Sequence, residues 1–184
     1  MNFEIKNNGE ISNEFLKLEI NDFKTACKFI SLLPYKRNKN KENILCVFED
    51  KAGTCSTKHS TLRKLAIENG ISEIKLILGI FKMDTIYAPK IRKTLEFNKL
   101  DYIPEAHNYL KIGNKYLDFT NSDSSYSEIE NRLLYETEIE YYEITTQKII
   151  LHKEFLKNWI KDKPQFTLDK IWKVRESCIE DLQN

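Results

Sequence analysis

Cys55, His107 and Asp118 are the residues whose types and order can do chemistry together. A thiol, an imidazole and a carboxylate form the set that nucleophilic cysteine catalysis uses. An unperturbed thiol is only a few per cent ionised near neutral pH, so the sulfur must be activated. A helix N-terminus does part of that work by placing partial positive charge and unpaired amide donors beside it. An adjacent imidazolium lowers the thiol pKa further. The backbone N–H of the cysteine can then donate to the oxyanion of a tetrahedral intermediate. A carboxylate on the far side of the imidazole fixes its tautomer and stabilises its cation.

The local sequence supplies the elements this needs. Gly53-Thr54-Cys55-Ser56-Thr57-Lys58-His59 is a glycine-led turn running into an amphipathic helical pattern with apolar Leu62, Leu65 and Ala66, stopped at Asn69-Gly70. Gly53 is expected to let the chain turn tightly and to leave room for a substrate. His107 and Asp118 flank Gly113-Asn114, a two-residue hairpin signal. With Ile112 opposite Lys115, Leu110 faces Leu117, Tyr109 faces Asp118 and His107 faces Thr120. His107, Tyr109, Asp118 and Thr120 then share one sheet face, and Leu110, Ile112, Leu117 and Phe119 the other. His107 and Asp118 become diagonal neighbours at about 7 Å, within reach of an imidazole–carboxylate hydrogen bond.

The rest of the chain reads as helices around a mostly antiparallel sheet, an α+β fold. Asn21-Asp22 can cap a helix with apolar Phe23, Ala26, Cys27, Ile30 and Leu33, ended by Pro34. Residues 35 to 43 read as a polar, basic loop, and Ile44 to Phe48 fits either strand or helix. Ile74 to Phe81 reads as a buried strand, and Pro89 opens a helix bearing Ile91 and Leu95. Ser127 with Glu130 matches a capping box for a short helix through Leu134, and Ile139 to Ile144 reads as another strand. Two amphipathic helices separated by Pro164 close the chain. The first bears Ile149, His152, Leu156 and Trp159, the second Leu168, Ile171, Trp172 and Leu182.

The helix-opening Gly53-x-Cys55, followed by His107 on one strand and Asp118 on the next, resembles the transglutaminase-like branch of the papain-type cysteine enzymes. Cys, His, Asp order matches; the sequence departs from the pattern of many members in the aromatic residue soon after the histidine, where His107-Asn108-Tyr109 has Tyr109 only in that vicinity. The resemblance spans about residues 22 to 120, leaving about 121 to 184 as an extension packed on that core within a single domain, 1 to 184. It implies a catalytic helix packed on an antiparallel sheet and a covalent thioester mechanism. Cys55 would attack an amide or related acyl group, His107 would shuttle the proton, and Asp118 would orient His107. It implies a peptide or small amide substrate and no organic or metal cofactor. Tyr35 and Asn38 are the candidates, by location, for a side-chain oxyanion donor. The family also includes inactive binding domains, so a non-catalytic interaction domain is the alternative.

The bulk numbers agree with a chain that folds on its own core. It has 184 residues, 41% hydrophobic and 31% charged, with a net charge of +1 from 29 basic and 28 acidic residues. That balance points to neither bulk nucleic acid nor a membrane surface as partner. Lys36, Arg37, Lys39 and Lys41 cluster without an aromatic stacking pattern and read as a solvated loop. No apolar run is long enough to span a bilayer and no leader pattern opens the sequence, so a cytoplasmic protein with four free thiols, Cys27, Cys46, Cys55 and Cys178, is expected. Cys27 and His152 fall on apolar faces and read as core. His59, one turn after Cys55, reads as a satisfied helix residue, with a zinc site of Cys55, His59, His107 and Asp118 as the metal-binding alternative.

Overall fold

The computed structural model describes residues 1 to 183. Eight α-helices and four strands are present among them, in an α+β arrangement. Helices α1 (Glu10–Lys17), α2 (Phe23–Leu32), α3 (Cys46–Glu49) and α4 (Cys55–Glu68) precede strand β1 (Ile74–Asp84). A 3-10 turn over Pro89–Ile91 leads into α5 (Arg92–Phe97), then β2 (Tyr102–Ile112) and β3 (Lys115–Leu117). Helix α6 (Ser127–Glu130), β4 (Leu133–Ile139), α7 (Thr146–Trp159) and α8 (Leu168–Gln183) complete the chain. No helix among the described residues is long and apolar enough to cross a membrane.

The strands form one antiparallel sheet in the order β3-β2-β1-β4. Period-two alternation on β1 divides the core. Ile74, Leu76, Leu78 and Ile80 join a cluster with the N-terminal helices, whereas Ile77, Phe81 and Met83 join one with α5 and α8. Burial on both faces explains why β1 reads as a near-continuous apolar run. The hairpin has the expected register, with Ile112 opposite Lys115 and Leu110 opposite Leu117. Gly113 takes a φ of 58° in that turn, a conformation glycine adopts without a Cβ penalty.

Three local expectations need correction. Strand pairing stops at Leu117, so Asp118 and Thr120 are not ladder partners of Tyr109 and His107. The helix expected through Leu134 ends at Glu130, and the last strand runs over Leu133–Ile139 rather than Ile139 to Ile144. There the open edge of β1 takes the alternating Leu133-Leu134-Tyr135-Glu136-Thr137-Glu138-Ile139 as a partner, and tertiary pairing overrides the local pattern. Ile44 to Phe48, open between strand and helix, overlaps the single turn α3.

Helix α4 also differs from expectation, being buried nearly all round. Several of its polar residues are satisfied by main-chain carbonyls of other segments. Lys58 Nζ donates to Leu33 O (2.5 Å) and Thr120 O (2.6 Å), Arg63 Nη1 to Ile74 O (2.6 Å), and Ser60 Oγ to Tyr141 O (2.6 Å). Polar residues that periodicity assigns to a solvent face here tie α4 to four surrounding segments, as buried donors must.

Candidate active site

Cys55 is the first residue of α4. The turn before it is pinned: Thr54 N–H donates to Thr57 Oγ1 (3.0 Å), and Thr57 Oγ1–H donates to Asn38 Oδ1 (2.7 Å). Gly53 is required by close approach rather than by a tight turn. A Cβ built there would lie 2.9 Å from Thr57 Oγ1 and 3.0 Å from Lys58 Cγ, so the space it leaves is filled by the first turn of α4, not by a substrate.

His107 and Asp118 meet directly, with His107 Nε2 donating to Asp118 Oδ2 over 2.7 Å. With Nε2 so engaged, Nδ1 is the nitrogen left to serve Cys55, whose thiolate and the His107 imidazolium stabilise one another. Asp118 is aimed by its own loop, since Thr120 N–H donates to Oδ1 over 2.8 Å. The structure therefore brings together all three residues singled out by type and order.

Burial pushes the Cys55 thiol up, but the Lys148 ammonium and the His107 imidazolium together outweigh it and bring the pKa down to about 6. Burial likewise opposes charge on His107, yet the Cys55 thiolate and the Asp118 carboxylate raise it to about 10. Asp118 is held below the ordinary carboxylate range, with burial outweighed by His107. The charge state at neutral pH is a thiolate–imidazolium pair backed by a carboxylate. No protein-family model matches the chain, and no curated protein or solved structure matches it.

His59 has a supporting place that the sequence did not disclose. Its Nδ1–H donates to Cys55 O (2.7 Å), and its Nε2 accepts from Phe119 N–H (2.8 Å). Burial drops its pKa to about 4, so it is neutral. At 3.5 Å, Asp118 Oδ1 and His59 Nε2 are neighbours without a shared proton, because each already accepts from a backbone amide. One ring thus joins the residue bearing the thiol to the loop bearing the carboxylate. Both of its nitrogens are occupied, leaving His59 no lone pair for a metal, which removes the zinc alternative.

Two further groups lie outside any sequence motif. Lys148, on α7, reaches under the nucleophile. Its Nζ donates to Ser56 Oγ and to Asn108 Oδ1, each at 2.8 Å, and lies 3.9 Å from Cys55 Sγ. Asn108 is oriented for this by Nδ2–H donating to Ile77 O (3.0 Å). Arg175, on α8, pairs with the buried Glu105 of β2 through two hydrogen bonds, Nε to Oε2 at 2.7 Å and Nη2 to Oε1. Neither Lys148 nor Arg175 had a local signal, since each comes from a helix some ninety or more residues after Cys55 and reads as a polar surface position.

Two hollows open at the site, one on the thiol and one on the imidazole–carboxylate pair. One, of about 530 Å³, is lined by Cys55, Lys148, Glu105, Arg175 and Trp172. The other, of about 1040 Å³, is lined by His107, Asp118, Tyr87 and Asn121. Tyr35, Arg37 and Ile179 border both. Tyr35 therefore stands by the reacting groups, as its position suggested. Asn38 does not serve as an oxyanion donor: its Nδ2 donates to Cys46 O, Asp50 Oδ2 and Ala52 O, and so braces the loop.

Proposed function

We propose that this chain is a cysteine-dependent acyl hydrolase or acyltransferase acting on an amide, peptide, glutamine or related, through Cys55, His107 and Asp118, with a transglutaminase-like or papain-type core. The observation that carries this reading is the order sulfur–imidazole–carboxylate, with His107 hydrogen bonded to Asp118 on one side and acting electrostatically on the Cys55 thiol on the other. A buried central helix that opens on the cysteine and packs against an antiparallel sheet supports the same assignment. Four free thiols suit a reducing, cytoplasmic setting.

In this mechanism the Cys55 thiolate attacks the carbonyl carbon, and the carbonyl π pair moves onto oxygen. Collapse of the intermediate expels the amine, which takes the proton from His107 and leaves a thioester. His107, now neutral, removes a proton from water for hydrolysis or from an amine for transfer. Asp118 holds the imidazole in the required tautomer throughout.

Iodoacetamide labelling of the native protein at about pH 6, followed by mapping of the adduct, tests the reading. Selective modification of Cys55 over the buried Cys27, Cys46 and Cys178 is expected. Cys55 itself is only 6% exposed, which favours the alternative of a non-catalytic interaction domain. Indifference of Cys55 to the reagent would favour that alternative over the enzyme.

A further inference from the structure

Lys148 is a cation held beside the nucleophile with no carboxylate at ion-pair distance among the described residues, Glu105 acting on it from farther off. Its three hydrogen-bonding directions go to Ser56 Oγ, Asn108 Oδ1 and the region of Cys55 Sγ. Of the other charged groups lining this hollow, Lys41 and Glu42 stand at its loop side, Lys39 is 4.0 Å from Asp50, and the groups nearest the thiol are paired. Glu105 and Glu176 hold Arg175, and Glu176 also holds Arg37. Burial opposes the ammonium, and the Cys55 thiolate is first among the groups that sustain it. Once the thiolate is consumed in forming an S–C bond, that negative charge is lost, and an uncompensated buried ammonium is costly. Negative charge reappears at that moment on the substrate oxygen.

We infer that Lys148 is a catalytic residue, the side-chain donor of the oxyanion site, whose ammonium, together with the Cys55 N–H, holds the oxygen of the tetrahedral intermediate. Its place fits. An oxygen on the carbon bonded to sulfur lies about 2.7 Å from that sulfur, so a donor 3.9 Å away can reach it at hydrogen-bond distance. As the S–C bond forms, the carbonyl π pair becomes an oxygen lone pair. No proton moves to that oxygen, and the charge shifts from sulfur to oxygen without leaving the ammonium. Asn108 and Ser56 are positioning residues for Lys148.

This inference rests on the acyl-transfer reading, and its test separates the two. Cys55 is treated with p-nitrophenyl acetate, whose reaction forms an oxyanion, and with iodoacetamide, whose displacement forms none. Rates are compared on the high-pH plateau of each profile, where the thiol is ionised, in the wild type and in Lys148→Met. The expected result is an acylation rate down about 100-fold beyond any fall in alkylation. If Lys148→Met does not fold, Lys148→Gln carries the same comparison with a smaller excess loss, since its amide N–H remains a donor. Equal losses in the two reactions, with the wild type acylated normally, would overturn the role of Lys148 and leave the acyl-transfer reading standing. A wild-type Cys55 that alkylates but cannot be acylated would overturn both.

Discussion

His107 Nε2 and Asp118 Oδ2 lie 2.7 Å apart although Asp118 follows the last paired residue of its strand. The contact is therefore not made by the β ladder. It depends on the Asp118–Thr120 turn, on Thr120 N–H donating to Oδ1, and on Phe119 N–H docking on His59. The carboxylate is placed by the central helix as much as by the sheet.

Removing the imidazole should return the thiol toward its ordinary range. With Cys55 at about 6, the thiolate is present above that pH and is lost as pH falls through it. The wild-type alkylation profile should thus have a midpoint near 6. In His107→Ala the imidazolium charge disappears, and the midpoint should rise. At pH 7 the rate should drop about tenfold from the smaller ionised fraction alone. An unchanged midpoint in stopped-flow alkylation would separate His107 from the thiol.

His59 should make the fold acid-sensitive. Its pKa is about 4 when folded against about 6.5 when unfolded, so the unfolded chain binds the extra proton between these values. Stability contributed by neutral His59 is then complete above about pH 6.5 and is lost as pH falls toward 4, on the order of 3 kcal/mol in all. Urea unfolding across that range should show the fall, and nitrogen NMR should find His59 neutral and protonated on Nδ1 at pH 6. His59→Ala should flatten the pH dependence. It should also destabilise at neutral pH by about 1–3 kcal/mol per orphaned group, because the Cys55 carbonyl and the Phe119 amide lose partners.

Much of the candidate site was legible because its signals are local. A glycine-led turn precedes Cys55, and a two-residue hairpin fixes the parity of His107. The helix over Phe23–Leu32 was equally plain, with Asp22 accepting from Thr25 N–H at 3.1 Å. What escaped is tertiary. Lys148, Arg175 and His59 owe their roles to what packs against them, and no spacing rule marks a lysine whose partners are Ser56 and Asn108. The all-round burial of α4 was hidden for the same reason, since Lys58 and Arg63 look like surface residues until their carbonyl acceptors are known.

Gly53→Ala should act on the first turn of α4. The new methyl would press on Thr57 Oγ1, which cannot swing away without releasing Asn38 and the Thr54 amide. The expected cost is about 1–3 kcal/mol by denaturant unfolding, the range for overpacking. Cys55 alkylation at pH 7 should slow with it, because the sulfur rides on the displaced turn. A variant as stable and as reactive as the wild type would show that this turn yields freely.

Arg175→Met tests the link between α8 and the strand that bears His107. Glu105 is 8% exposed and is kept ionised, against burial, by Arg175. Removing the guanidinium strands that carboxylate two residues from His107, and loss of one partner of such a pair costs about 3–5 kcal/mol. Urea unfolding of the variant should show a loss of that size. The double variant Arg175→Met with Glu105→Gln should recover part of it, since the remaining group is neutral. The coupling distinguishes the buried ion pair from the other contacts of the guanidinium: if Glu105→Gln gives no recovery in the Arg175→Met background, the cost lies in the guanidinium stacked over Trp172, 5.2 Å from the ring centre, rather than in its pairing with Glu105.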